Sequence, residues 1–242
     1  MKHNDTYKPV IYLTIVLLLF YTSSLLVLIP IKLFNIDVNN CSDLVYNLIT
    51  FFPNAVLSII LFFIYRKELI RDFKDFRKNI GEYTDKAFKY WIVGFVLMMA
   101  FNLLIIMFSP VKSATNEDAV RSIIDSTPFI AYIFTCLVAP FLEELIFRKS
   151  FRDCFHSKWL FVLVSGIVFG ALHVVGNIES LYGLLYLAPY SSLGIAFALT
   201  YYETGNIFSS IFIHFFHNSL VVLLAGVGLG VLLWWNQEVK KI

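Results

Sequence analysis

The sequence predicts an all-α, polytopic membrane protein of seven or eight transmembrane helices, with its intramembrane polar residues gathered in the C-terminal half. Two bulk observations and one positional observation predict this. The 242 residues are 59% hydrophobic and only 15% charged, with mean hydropathy +0.75, against roughly 45–50% and about 25% for a soluble domain. The apolar residues are gathered into blocks of the ~20 residues that a helix needs to cross a hydrocarbon core of roughly 30 Å. Finally, Asp, Glu, Lys, Arg and His are absent from the first three blocks and present in later ones.

Six blocks are clear: Val10–Ile29, Leu44–Tyr65, Tyr90–Phe108, Pro128–Phe147, Trp159–Val175 and Leu181–Tyr202. The first is too long for a signal-peptide core and no small-residue cleavage site follows it, so it reads as a retained span. A seventh stretch, Ile207–Trp235, would exceed roughly 40 Å as one straight helix. The glycines of Ala225-Gly226-Val227-Gly228-Leu229-Gly230 offer a break that would make two spans of it. One transmembrane domain over 1–242 accommodates all of these blocks.

Lysine and arginine in short connections mark the cytoplasmic side. They concentrate between Arg66 and Lys89 and between Arg148 and Lys158. Both segments, and the N-terminus with Lys2 and Lys8, are therefore expected in the cytoplasm of a multi-pass cell-membrane protein. Lys240 and Lys241 would favour the same side and so eight spans. The Arg66–Lys89 segment mixes acids with its bases and reads as a solvated, partly helical loop. A net charge of +2 gives no footing for nucleic-acid binding. The cysteines Cys41, Cys136 and Cys154 have neither metal nor disulfide spacing and read as small, mostly buried side chains.

Ionisable groups inside spans cost roughly 2.5–3.5 kcal/mol each on insertion scales, so each needs a reason. Glu143 and Glu144 close the fourth block, with Arg148 four residues after Glu144, the favourable order for an intrahelical ion pair. A charged helix end at the interface, with Arg148 reaching headgroups, is the structural alternative. Two adjacent carboxylates in low dielectric drive one another's pKa apart, and the raised one can serve as a general base.

His173 shares a helix face with Phe169, and Gly170-Ala171 permits close approach of another helix. Taken alone, such a histidine often only bonds a neighbouring helix. His214 and Asn218 share a face at i, i+4, and both can donate to one oxygen atom. His217 lies beside them. For Glu143 to reach the depth of His173, the fourth helix must run past Phe147. The Phe147, Phe151, Phe155 repeat supplies such a continuation, with Pro140 as a candidate kink.

These three motifs in order, Glu143-Glu144 with Arg148, Phe169 with His173, and His214 with Asn218, resemble the CAAX-protease and bacteriocin-processing (Abi) family of intramembrane glutamic endopeptidases. The resemblance covers about 128–220 and includes Thr204-Gly205-Asn206. It implies that Glu143 activates water with help from His173 and that His214 and Asn218 hold the oxyanion. Glu144, Arg148 and Phe169 would support the site. It implies no cofactor and no metal, and as partners the lipid bilayer and a membrane-associated peptide or protein substrate. The motif gives His217 no role. A zinc protease is a rival, although no HExxH is present, and adjacent glutamates diverge by about 100° on a helix. A transporter, immunity protein or scaffold is the non-catalytic alternative. Neither the substrate nor the oligomeric state is legible.

Overall fold

The computed structural model describes residues 7–111, 113–175 and 181–239, with side chains described as far as 225. Lys2, Lys240 and Lys241, which entered the orientation reading, lie outside the described residues. Among those described, the secondary structure is entirely helical.

Helix α1 (Lys8–Leu33) carries Pro9 in its first turn, where a missing N–H costs nothing. Helix α2 (Asp43–Ile64) is capped by Ser42, whose hydroxyl accepts from the Val45 N–H at 3.4 Å. Then come α3 (Arg66–Lys78), α4 (Ile80–Phe108) and the short α5 (Thr115–Ser126). Helix α6 (Pro128–Arg152) is followed by α7 (Lys158–Val174), capped by Ser157. Helix α8 (Leu181–Thr204) opens on a 3₁₀ stretch, Leu181–Tyr186, and α9 spans Ile207–Val239.

Six of these helices are long and apolar enough to cross a membrane by length and composition: α1, α2, α4, α6, α8 and α9. The seventh apolar helix, α7, has 17 residues, or roughly 25 Å of rise. The outer surface is correspondingly oily: Phe108, Phe129 and Leu33 are each more than 70% exposed. This is a polytopic membrane protein with seven apolar helices among the described residues.

Two expectations are corrected. The glycine run at 225–230 does not break the last stretch, because α9 continues to Val239 as one helix. Glycine costs about 1 kcal/mol per residue in a helix, less than leaving backbone N–H and C=O groups unpaired in hydrocarbon. The Arg66–Lys89 segment is not a loop. It is α3 followed by the first turns of α4, and Leu69 and Phe76 anchor the apolar side of α3 in the core. The cysteines are all free, but only Cys136 is fully buried.

The centre of the bundle is α8, sandwiched between α7 and α4. Small residues make this approach possible. A Cβ on Gly166 of α7 would lie 2.7 Å from the backbone nitrogen of Ile195, and one on Gly94 of α4 would lie 2.6 Å from the Ala196 Cβ. With no hydrophobic force between helices in lipid, such close van der Waals contact is what holds them. Gly170 meets Ser191 in the same seam, as its spacing predicts.

At one end of the bundle the α8–α9 turn is locked to α3. Gly205 takes the left-handed conformation (φ 63°) that closes α8. The amide of Asn206, itself buried, donates to the Asp72 carbonyl at 2.8 Å and to Asp75 Oδ2 at 2.9 Å. Tyr83 donates to the same carboxyl at 2.7 Å. These bonds, that from Tyr83 first, hold the Asp75 carboxyl below the usual carboxylate range.

Candidate active site

The site is built on an irregular stretch of α6. Two π-helical segments, Ile133–Val138 and Leu145–Lys149, flank the α-helical Ala139–Glu144. Pro140 cannot donate a backbone hydrogen bond, and the wide turn ahead of it accommodates that gap. Each π turn also rotates the side chains that follow, a device often found at functional sites. Helix α6 does run past Phe147, to Arg152, as the phenylalanine repeat requires. Glu143 therefore sits roughly 13 Å from the helix end, by rise per residue.

The two glutamates are treated differently by the fold. Glu144 has no exposed side-chain surface, whereas Glu143 keeps 21%. Every oxygen of Glu144 is engaged. Arg148 Nε lies 3.2 Å from Oε2, Ser210 Oγ donates to that same oxygen, and His214 Nδ1 lies 2.9 Å from Oε1. Arg148 is itself wholly buried. It donates through Nη2 to the Gly194 carbonyl at 3.1 Å, and its guanidinium lies 4.6 Å from the centroid of the Phe169 ring. The pair expected from the i, i+4 spacing is thus buried among three helices, not an interfacial helix end.

His214 spans both glutamates. With Nδ1 on Glu144, its Nε2 lies 3.8 Å from Glu143 Oε2. The Phe197 ring stacks on it at 4.5 Å and 22°. Phe169 meets His214 edge-on at 5.6 Å and His173 at 4.5 Å, so one ring touches Arg148 and both histidines.

His173 closes α7. Its Nδ1 sits 2.9 Å from the Phe169 carbonyl, which only accepts, so the ring proton is on Nδ1 and Nε2 keeps its lone pair. Tyr190 stacks on the other side at 4.9 Å. No hydrogen bond joins His173 to Glu143 among the described residues. Asn218 Nδ2 donates to the Thr135 carbonyl at 2.8 Å, in the first π segment. The donors of His214 and Asn218 are therefore directed at protein acceptors, not at a single common point.

Glu143, Phe169, His173, His214 and Asn218 all line one cavity of about 490 Å³, while Glu144 and Arg148 lie behind its wall. His217 lines the cavity as well. Its Nδ1 accepts from the Trp91 indole N–H at 3.4 Å, so in the neutral ring the proton is on Nε2. Among the described residues, no group of three or more His, Cys, Asp and Glu side chains has the arrangement of a metal site.

Sequence reasoning missed Ser210, Thr135, Phe197, Trp91 and Tyr190. Ser210 carried a signal, because it lies four residues before His214 and eight before Asn218 on one face of α9. The aromatic residues carried none, being ordinary in an apolar span.

Comparison with known proteins bears on the same segment. Residues 125–220 match the family model of the type II CAAX prenyl endopeptidase Rce1-like proteins. The segment that holds all three motifs is thus Rce1-like, as the motifs indicate. The chain is 31% identical over 116 residues to "Putative membrane peptidase YdiL" of Bacillus subtilis (strain 168). That match covers 47% of this chain and 44% of the relative. It is 25% identical over 135 residues to "UPF0177 protein YbdI" of Lactococcus lactis subsp. lactis (strain IL1403), covering 54% of this chain and 71% of the relative. An "Uncharacterized protein" of Mycoplasma capricolum subsp. capricolum is 26% identical over 206 residues, covering 80% of this chain and 60% of the relative. The match thus spans less than half the length of YdiL. No solved structure matches the chain.

Proposed function

We propose that this Rce1-like chain is an intramembrane endopeptidase of the cell membrane that hydrolyses a membrane-associated peptide through water activated by Glu143. The observation that carries this reading is the asymmetry of the adjacent carboxylates. Glu144 is saturated by Arg148, His214 and Ser210, while Glu143 keeps side-chain surface and lines the cavity beside two histidines.

In this mechanism a water held at Glu143 gives its proton to the carboxylate as its oxygen attacks the scissile carbonyl carbon. His173, with the Nε2 lone pair free, is the second acceptor within the same cavity. The tetrahedral oxyanion takes a hydrogen bond from the Asn218 amide, through the Nδ2 proton that Thr135 does not use, and from Nε2 of His214 when that ring is the imidazolium, because the proton of the neutral ring is on Nδ1 and is given to Glu144. The proton on Glu143 then passes to the departing amine, and the C–N bond breaks. His217, its Nδ1 taken by Trp91, adds an Nε2–H donor to the same wall. No covalent intermediate is needed.

Asn218→Ala removes one of these oxyanion donors. Turnover is expected to fall about 10²–10³-fold, the usual cost of losing one such donor, yet remain measurable above the Glu143→Gln background in an assay on purified protein with a peptide library. Loss of no more than a few-fold would remove Asn218 from the oxyanion role.

The reaction is expected to be metal-independent. The motivation is the donor set: the carboxylate of Glu144 is already committed to a guanidinium and a hydroxyl, and among the described residues neither His173 nor His217 is grouped with Glu143 and His214 closely enough to supply the third protein ligand that zinc takes. Activity should survive a strong chelator, with no stoichiometric metal by elemental analysis. Loss on chelation and recovery with zinc would establish the metalloprotease instead.

A further inference from the structure

The fold separates the basic residues and the cavity mouth to opposite ends of the bundle. One end comprises α3, the first turns of α4, the α6–α7 connection and the α8–α9 turn, joined through Asn206 to Asp72 and Asp75. It holds every Lys and Arg between 66 and 89 and those between 149 and 158. The other end comprises the α1–α2 and α4–α6 connections. Among the described residues it carries Lys32 and Arg121, outnumbered by Asp37, Asp43, Glu117, Asp118 and Asp125. An asymmetry of this size in short connections sets orientation, and it assigns the basic end to the cytoplasm.

The cavity descends from the other, acidic end. Asn116 and Glu117 of α5 line it at that end, with the buried Tyr186 at the start of α8 beneath them, and Glu143, Phe197 and His214 line it deeper in. Along α8, Tyr186 to Phe197 is a descent of roughly 16 Å. His173, at the far end of α7 from the basic Lys158, is on the rim side too.

The walls between rim and floor are apolar, including Met98, Phe134 and Val221, but carry the amides of Asn54 and Asn102. An unwound apolar peptide at membrane depth leaves backbone N–H and C=O groups unpaired. A carboxamide side chain offers both a donor and an acceptor to such groups. The lining thus fits an extended apolar peptide segment.

We infer that the cavity opens on the side of the membrane opposite the cytoplasm, and that its substrate is an extended apolar segment of an exported or membrane-inserted polypeptide reached from that side. A lipid-modified tail presented in the cytoplasm would meet the basic end, whose residues do not line the cavity. The substrate class rests on the peptidase reading above, and the orientation does not.

Two measurements test this separately. In a chain with Cys41, Cys136 and Cys154 changed to Ser, Ser122→Cys on exposed α5 and Lys74→Cys on exposed α3 are treated in intact cells with a membrane-impermeant maleimide. Ser122→Cys is expected to label at once, and Lys74→Cys only after permeabilisation. The reverse pattern overturns the orientation. Internally quenched apolar peptides are then added outside right-side-out and inverted membrane vesicles, with Glu143→Gln vesicles as background. Cleavage is expected in right-side-out vesicles only. Glu143-dependent cleavage confined to inverted vesicles overturns the inference and leaves the peptidase reading standing. With the expected labelling, absence of Glu143-dependent cleavage in both preparations overturns the peptidase reading and the substrate class with it.

Discussion

Glu143→Gln is expected to lower turnover about 10²–10⁴-fold, the range that a positioned general base contributes, while substrate affinity and thermal stability in detergent stay near those of the unaltered protein. Gln keeps the shape and the hydrogen-bonding oxygen of Glu143 but cannot take a proton from water. Among the described residues Glu143 makes no hydrogen bond, and its ion-pair contact is the 3.8 Å to His214 Nε2, so removing its charge leaves the buried network intact. Glu144→Gln should behave differently, because Arg148, Ser210 and His214 all lean on that carboxylate. It should lose stability as well as rate. The measurement is a parallel determination of turnover, KM and melting temperature for both variants. Near-normal turnover in Glu143→Gln would sink the site assignment and make the non-catalytic reading, an immunity or scaffold protein, the leading one.

The distinction between the two carboxylates also shows where sequence reasoning ran out. The first six apolar helices were legible because hydrocarbon demands long apolar runs with every backbone group paired; the choice between seven and eight was not. The partnership of Glu144 with Arg148 was legible because i, i+4 spacing is a local property of one helix. Which glutamate faces the cavity was not. That depends on the π segments 133–138 and 145–149, which rotate the Ala139–Glu144 stretch relative to a regular helix and have no composition of their own. Contacts between distant helices were equally hidden. Ser210, four residues before His214, could have been found from helical spacing. The Trp91 indole on His217 and the Thr135 carbonyl on Asn218 join elements 126 and 83 residues apart, and no local pattern encodes them. The last apolar stretch misled for a related reason. Glycine weakens a helix in water, but in a membrane the alternative to a helix costs more.

Arg148→Ala is expected to be among the most destabilising single changes in the protein. Arg148 and Glu144 have no exposed side-chain surface, and the guanidinium also donates to the Gly194 carbonyl and packs on the Phe169 ring. Truncation leaves Glu144 buried without its countercharge, for which about 3–5 kcal/mol is the usual cost. It also removes a buried donor at an α8 position in close contact with α7, where Gly194 and Gly166 are packed against one another. The effect on rate follows from the same geometry. Without Arg148, Glu144 is free to turn from His214, whose Nδ1 it holds, and His214 loses its orientation toward Glu143. Turnover should therefore fall together with melting temperature. A double variant, Arg148→Met with Glu144→Gln, separates the two effects, because replacing a buried ion pair by neutral groups of similar volume relieves the unpaired charge. It is expected to recover much of the melting temperature lost by Arg148→Ala and little of the turnover. Recovery of both would mean that the pair serves folding alone. A melting temperature in Arg148→Ala equal to that of the unaltered protein would mean that the pair contributes nothing to stability, and that Glu144 is neutral in the folded bundle.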